Sequence, residues 1–260
     1  MRSTEVLQYE PPGRPKANTA VRSTKVLQYE PPGRPKANAA VRSTKGTLMT
    51  SALHHRCGAS ALMVLLPGAL MTPQQMVDAG VFRAVQSRQL ALDVTLSDLH
   101  ALAGDNRDAL QLLESQLLAP ARGQYDEVWL GGISRGGHFA LSYLAAGSGH
   151  VSGVCLLAPY PGSRITSNSI ERSGGLSIWQ PTSEQLRDPE FRLWNWLKDP
   201  SWPRHVFMGY GVEDRFADGM QRLALRLPGA QLHTVPGAHD WAAWLPLWER
   251  FLDRHFGGAA

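Results

Sequence analysis

Residues 126–145 read "DEVWLGGISRGGHFALSYLA". The apolar run "EVWLGGI" has the length and composition of a buried strand, and "HFALSYLA" those of a helix. Between them Ser134 stands among Gly131, Gly132, Gly136 and Gly137. A loop that only had to turn needs no such concentration of residues without side chains. Gly132-Ile133-Ser134-Arg135-Gly136 fits G-x-S-x-G in the context that gives this pattern mechanical meaning, directly after a strand and directly before a helix. The turn is so sharp that the serine takes a strained backbone, and the residues two positions away must lack a Cβ. Ser134 is therefore expected at the end of the sheet as a nucleophile. The N–H of Arg135, at the helix N-terminus, is expected to face the same space as an oxyanion donor. A serine before a helix is also a common N-cap; the flanking glycines favour the nucleophile.

Working outward, strand and helix patterns alternate from about residue 60. "ALMVLLPG" is an apolar run closed by Pro67 and Gly68. "TPQQ" then offers Thr72 as N-cap, Pro73 at the first helical position and Gln75 for a capping box, so a helix is predicted over about 73–88. "LALDVTL" at 90–96 reads as a strand. Asp105 opens a helix whose Leu110, Leu113, Leu117 and Leu118 share a face before Pro120 ends it. After the opening stretch come the strand "GVCLLAP", the strand "HVFMGYG", the helix "FADGMQRLALRL", the strand "AQLHTVPG" and the helix "AAWLPLWERFLDRHF". Near-continuous apolar strands alternating with helices predict an α/β fold, a mostly parallel sheet of about six strands covered on both faces. The segment at about 159–203 breaks the rhythm and reads as an insertion over the carboxyl ends of the strands. Its Trp179, Trp194, Trp196 and Trp202 either anchor it or line a substrate site. Trp241, Trp244 and Trp248 recur at helical spacing and read as core.

The chain divides at about residue 46. Residues 2–21 recur as 22–41 with only Glu5/Lys25 and Thr19/Ala39 differing, and "RSTK" at 42–45 begins a third copy. The repeat carries Pro-Pro-Gly and almost no apolar face, so residues 1–46 are expected to be a disordered tail and 47–260 the folded domain. The tail also explains the basic balance of the chain. It holds nine Lys or Arg and three Glu, leaving 17 basic and 19 acidic residues in the remainder. The positive charge sits on the repetitive tail and no basic stripe interleaved with aromatics follows it, so no nucleic-acid partner is expected. No signal peptide and no run of about 18 apolar residues is present, which gives no membrane span and a cytoplasmic expectation. Cys57 and Cys155 make no disulfide framework, and Cys155 reads as a small buried hydrophobe. "HHRC" at 54–57 groups three metal-ligand types without a second cluster at a familiar spacing, so neither a metal nor another cofactor is expected.

Over about residues 60–256 the chain resembles the α/β-hydrolase superfamily. The resemblance implies an orienting acid after the penultimate strand and a histidine after the last. "GYGVEDRF" places Asp214 in the first position and "VPGAHDW" places His239 in the second, so Ser134 is implied as nucleophile, His239 as general base and acid, and Asp214 as orienter. His138 is the weaker alternative base, and Glu213, Asp218 and Asp240 are rival acids. "LLPG" at 65–68 looks like the family's oxyanion loop with Pro67 in place of the usual histidine, which leaves Ala69 and Leu70 as alternative second N–H donors. Little sequence precedes residue 60, so the first strands of the full fold are expected to be missing. The implied activity is hydrolysis of a small-molecule carboxylic ester or thioester through an acyl-enzyme. The alternative is a non-catalytic binding or regulatory protein on the same fold.

Overall fold

The strands of this protein are apolar on both faces, and that alone requires helices on both sides of the sheet. The computed structural model describes residues 52–99, 106–147, 149–228 and 232–257. The expected tail at 1–46 and the helix start at Asp105 lie outside the described residues. Seven strands form one sheet: β1 (Ala52–His55), β2 (Ala61–Leu66), β3 (Asp93–Ser97), β4 (Glu127–Ile133), β5 (Gly153–Leu157), β6 (His205–Gly211) and β7 (Leu232–Val235). Their order is β1-β3-β2-β4-β5-β6-β7. Only β1 is antiparallel, paired with β3 through Ala52↔Ser97 to His55↔Val94. Met63, Val64, Leu65 and Leu66 of β2, Leu130 and Ile133 of β4 and Val154, Cys155 and Leu156 of β5 are all fully buried.

The sheet has one strand more than the pattern indicates. β1 is four residues long and only partly buried, so "ALHH" carries no apolar run to announce it. It is an edge strand, and its His54 ring bonds Thr95 Oγ1 at 2.9 Å.

The helices are α1 (Pro73–Asp78), α2 (Val81–Ser87), α3 (Asn106–Leu113), α4 (Ala119–Arg122), α5 (Arg135–Ala146), α6 (Arg164–Arg172), α7 (Pro189–Trp196), α8 (Ala217–Ala224) and α9 (Trp241–His255). Thr72 and Gln75 form the expected capping box at α1. The single helix predicted over 73–88 is instead two, because Gly80 adopts φ 107 between them, a left-handed conformation open to glycine that stops one helix and redirects the chain into the next. Pro120 does not end its helix. A π turn over Glu114–Leu118 precedes it and α4 continues with the proline in its first turn, where its missing N–H breaks no hydrogen bond.

The segment between β5 and β6 contributes α6 and α7. Two of its indole nitrogens bond within the segment, Trp179 to Ser169 Oγ at 3.0 Å and Trp194 to the Pro161 carbonyl at 2.8 Å, and one reaches outside it, Trp202 to the Arg226 carbonyl at 2.9 Å. Trp196 packs edge-on against Trp202. Trp179 and Trp194 are buried, so of the two readings of these tryptophans packing is the one their surroundings fit.

Candidate active site

From β2 the chain first moves out to β3 and then returns to the other side of β2 as β4. This reversal opens a crevice beyond the carboxyl ends of β2 and β4, the place where open α/β sheets bind ligands. The register pairs Leu66 with Gly132, so Pro67-Gly68 and Ile133-Ser134 leave the sheet side by side.

Ser134 has φ 52 and ψ −112, a conformation that costs on the order of 1–3 kcal/mol and persists only where the surroundings impose it. They do. Its N–H bonds the Leu157 carbonyl at 3.0 Å, and its carbonyl accepts from His138 N at 3.0 Å and Tyr160 N at 2.9 Å. A Cβ on Gly132 would stand 2.1 Å from the Gly136 carbonyl carbon, and one on Gly136 would stand 2.3 Å from the Leu66 carbonyl oxygen. Both positions therefore require glycine. The Ser134 hydroxyl makes no capping bond to α5, so the N-cap reading of this serine does not hold. It lies 2.8 Å from His239 Nε2.

The histidine and acid loops are joined by backbone before any side chain is considered. Val212 N bonds the Val235 carbonyl at 2.9 Å and Glu213 N the Gly237 carbonyl at 3.1 Å. Gly237, at φ 117, lets the chain turn directly after β7. Asp214 is buried; its Oδ1 accepts from Phe216 N at 2.8 Å and its Oδ2 lies 2.5 Å from His239 Nδ1. That contact sets the tautomer, because a proton on Nδ1 leaves Nε2 to accept from the serine. The His239 ring is held by edge-on rings at 5.1 Å from Phe216 and 5.2 Å from Trp244.

The rival residues have other partners. Glu213 bonds the Gly237 N–H. Asp218 sits in the first turn of α8. Asp240 is the N-cap of α9, accepting from Ala242 N at 3.0 Å. His138 is buried with Nδ1 3.0 Å from the Tyr160 carbonyl, and burial pushes its pKa down.

The loop after β2 folds over the same point. A Cβ on Gly68 would lie 3.6 Å from the Ser134 Cβ. Met71 N bonds the Gly68 carbonyl at 3.2 Å, closing a turn with Ala69 and Leu70 at its centre. Leu70 takes φ 59 and is fully exposed at 102%. Ala69, Leu70 and Met71 border a cavity of about 440 Å³ with Gln75, Asp78 and Trp241. Trp244 and Trp248 are core, as their spacing implies, but Trp241 is only half-buried and belongs to this cavity. Neither that role nor the Phe216 contact was read from the sequence. The one signal was the position of both residues two places beyond Asp214 and His239. Among the described residues no three His, Cys, Asp or Glu are grouped so as to hold a metal ion.

No family model matches the chain, and no curated protein does. Solved structures do match. Est1E from Butyrivibrio proteoclasticus aligns with a TM-score of 0.57 at 14% identity, covering 78% of this chain and 91% of its own. Fluorophosphonate-binding serine hydrolase F of Staphylococcus aureus gives 0.53 at 15%, covering 75% and 83%. An alpha-beta serine hydrolase homologue from Coxiella burnetii gives 0.51 at 12%, covering 83% and 99%. With the strand order and the serine turn, these likenesses define the architecture: the chain has the α/β-hydrolase fold.

Proposed function

We propose that this protein is a serine hydrolase that cleaves a carboxylic ester or thioester through an acyl-enzyme. The observation that carries the proposal is the hydrogen-bond chain from Ser134 Oγ to His239 Nε2 at 2.8 Å and from His239 Nδ1 to Asp214 Oδ2 at 2.5 Å. A serine hydroxyl is a poor nucleophile until a base takes its proton, and a base works best when a third group holds its tautomer.

In the proposed reaction Ser134 Oγ bonds the substrate carbonyl carbon while its proton passes to His239 Nε2. The N–H of Arg135 and that of Ala69 or Leu70 receive the oxyanion. Collapse breaks the bond to the leaving oxygen or sulfur, which takes the proton from His239. Water then attacks the acyl-enzyme, giving one proton to His239, and cleavage of the serine ester returns that proton to Oγ and releases the acid. Asp214 stabilises the imidazolium formed in each half. The strained Ser134 backbone, held by Leu157, His138 and Tyr160, supports this reading, because strain of this kind persists where function uses it.

The test is reaction with a fluorophosphonate and hydrolysis of short-chain nitrophenyl esters and thioesters. Wild-type protein is expected to label and turn over, and Ser134→Ala to do neither while keeping its melting temperature. Labelling retained in Ser134→Ala refutes the assignment. A wild-type protein inert to every ester, thioester and fluorophosphonate would favour the non-catalytic alternative.

A further inference from the structure

Leu70 violates two rules at once. A leucine at φ 59 is uncommon outside glycine, and a leucine at 102% exposure returns nothing to the stability of the fold. It stands in the turn that leaves β2 beside Ser134. The cavity it borders continues over Met71 and the half-buried Trp241, which begins the helix two residues after His239. These three side chains form an apolar trough next to the proposed nucleophile. It is a solvent-open depression of about 440 Å³, with room along it for a chain longer than an acetyl group.

The lining of the trough also has a polar part, Gln75 and Asp78. Gln75 and Asp78 are one turn apart on α1 and share a face. Gln75 Oε1 is engaged by Thr72 N at 2.8 Å, and Asp78 Oδ1 by Gln74 Nε2 at 2.8 Å. Gln75 and Asp78 are exposed, and no hydrogen bond joins Gln75 Nε2 or Asp78 Oδ2 to another described residue, so a ligand can exchange for the water on them. One is a donor and the other an anionic acceptor, and a hydroxyl group can serve both at once. A carboxylate would meet the Asp78 charge instead.

We propose that this trough is the specificity subsite of the hydrolase: Leu70, Met71 and Trp241 receive an apolar chain of the ester, and Gln75 and Asp78 select a hydroxyl at its far end and reject a carboxylate. The proposal rests on the hydrolytic reading for its use in turnover, and on the cavity alone for binding.

The experiment compares kcat/KM for matched esters whose six-carbon chain ends in methyl, hydroxyl or carboxylate, with that chain placed either on the acyl or on the alcohol side. The wild-type protein is expected to prefer hydroxyl to carboxylate by at least about tenfold on one of the two sides, which identifies the moiety that enters the trough. Asp78→Asn should bring that preference to within about twofold. Leu70→Gly, which suits the backbone, and Trp241→Ala should each lower the six-carbon to two-carbon kcat/KM ratio by about threefold to tenfold. Leu70 and Asp78 are exposed, so Leu70→Gly and Asp78→Asn keep the core, and the melting temperature of Trp241→Ala is checked beside its kinetics. Unchanged chain-length ratios in both apolar variants, or an unchanged hydroxyl preference in Asp78→Asn, overturns the proposal. Binding is read separately in Ser134→Ala by titrating the uncleaved hydroxyl ester and following tryptophan fluorescence, with Trp241→Phe on the same background as reference. Quenching that needs Trp241, found together with a wild type that hydrolyses none of the esters, refutes the reaction and supports the subsite. Hydrolysis by the wild type without such quenching refutes the subsite and leaves the reaction standing.

Discussion

Replacing His255 with phenylalanine should make the protein less sensitive to acid. The His255 ring lies at the end of α9 among Trp129, Phe251 and His205, with centroids 5.0, 5.2 and 5.9 Å away, and its Nε2 is buried without a hydrogen-bond partner. Burial, with His205, Arg254 and His233 adding like charge and Glu127 opposing, pushes its pKa from 6.5 to about 4. The C-terminus of α9 attracts a proton by only about 0.3–1 kcal/mol, less than burial removes. Above pH 6.5 the ring is neutral in both states and the contribution to stability is complete. As the pH falls from 6.5 to about 4 the unfolded chain binds a proton that the folded protein refuses, so stability declines by up to about 1.4 kcal/mol per pH unit. The full shift corresponds to about 3 kcal/mol. Because the ring is only half-enclosed, solvent screening reduces this to about 1–2 kcal/mol, or about 3–6 °C in melting temperature for a domain of this size. The assay is thermal unfolding followed by circular dichroism at about pH 7 and about pH 4.5. His255→Phe keeps an aromatic ring against Trp129 and should lose less on acidification than wild type by that amount. Equal losses in the two proteins would refute the reasoning. His233, whose Nε2 is also buried without a partner and whose pKa burial lowers, titrates in both proteins and cancels.

Asp214→Asn should reduce ester turnover on the order of a thousandfold or more, whereas Asp218→Asn should cost less than about tenfold; the reverse pattern in kcat would reassign the acid. Asp240→Ala should lower the melting temperature by about 2–4 °C through loss of the α9 N-cap, with turnover within about tenfold of wild type, and a larger loss of kcat would show that this carboxylate does more than cap. Gly136→Ala places a methyl 2.3 Å from the Leu66 carbonyl and should destabilise by about 3 kcal/mol or more; a change in melting temperature below about 2 °C would mean that the β2 loop yields easily.

Local pattern was enough to locate most elements, because local pattern is what makes them form. Apolar runs of strand length, the Thr72–Gln75 capping box and the close approach of Gly132 to Gly136 act within a few residues of themselves, and each appears where the sequence puts it. Where a contact from a distant segment decides, the sequence is silent. β1 has no apolar run and exists by pairing with β3 some forty residues on. The site divides in the same way. The strained turn at Ser134 is legible on its own because the strand, the serine and the helix that make it are neighbours in sequence. Four carboxylates lie close to the two loops in sequence, and only the fold brings Asp214 to 2.5 Å from His239 while giving Glu213 a backbone N–H and Asp240 a helix to cap. Trp241 shares a helical stripe with two core tryptophans, yet it meets Leu70 and Met71 in a cavity. That meeting joins the end of β2 to the start of the last helix, a closure over about 170 residues that no local periodicity encodes.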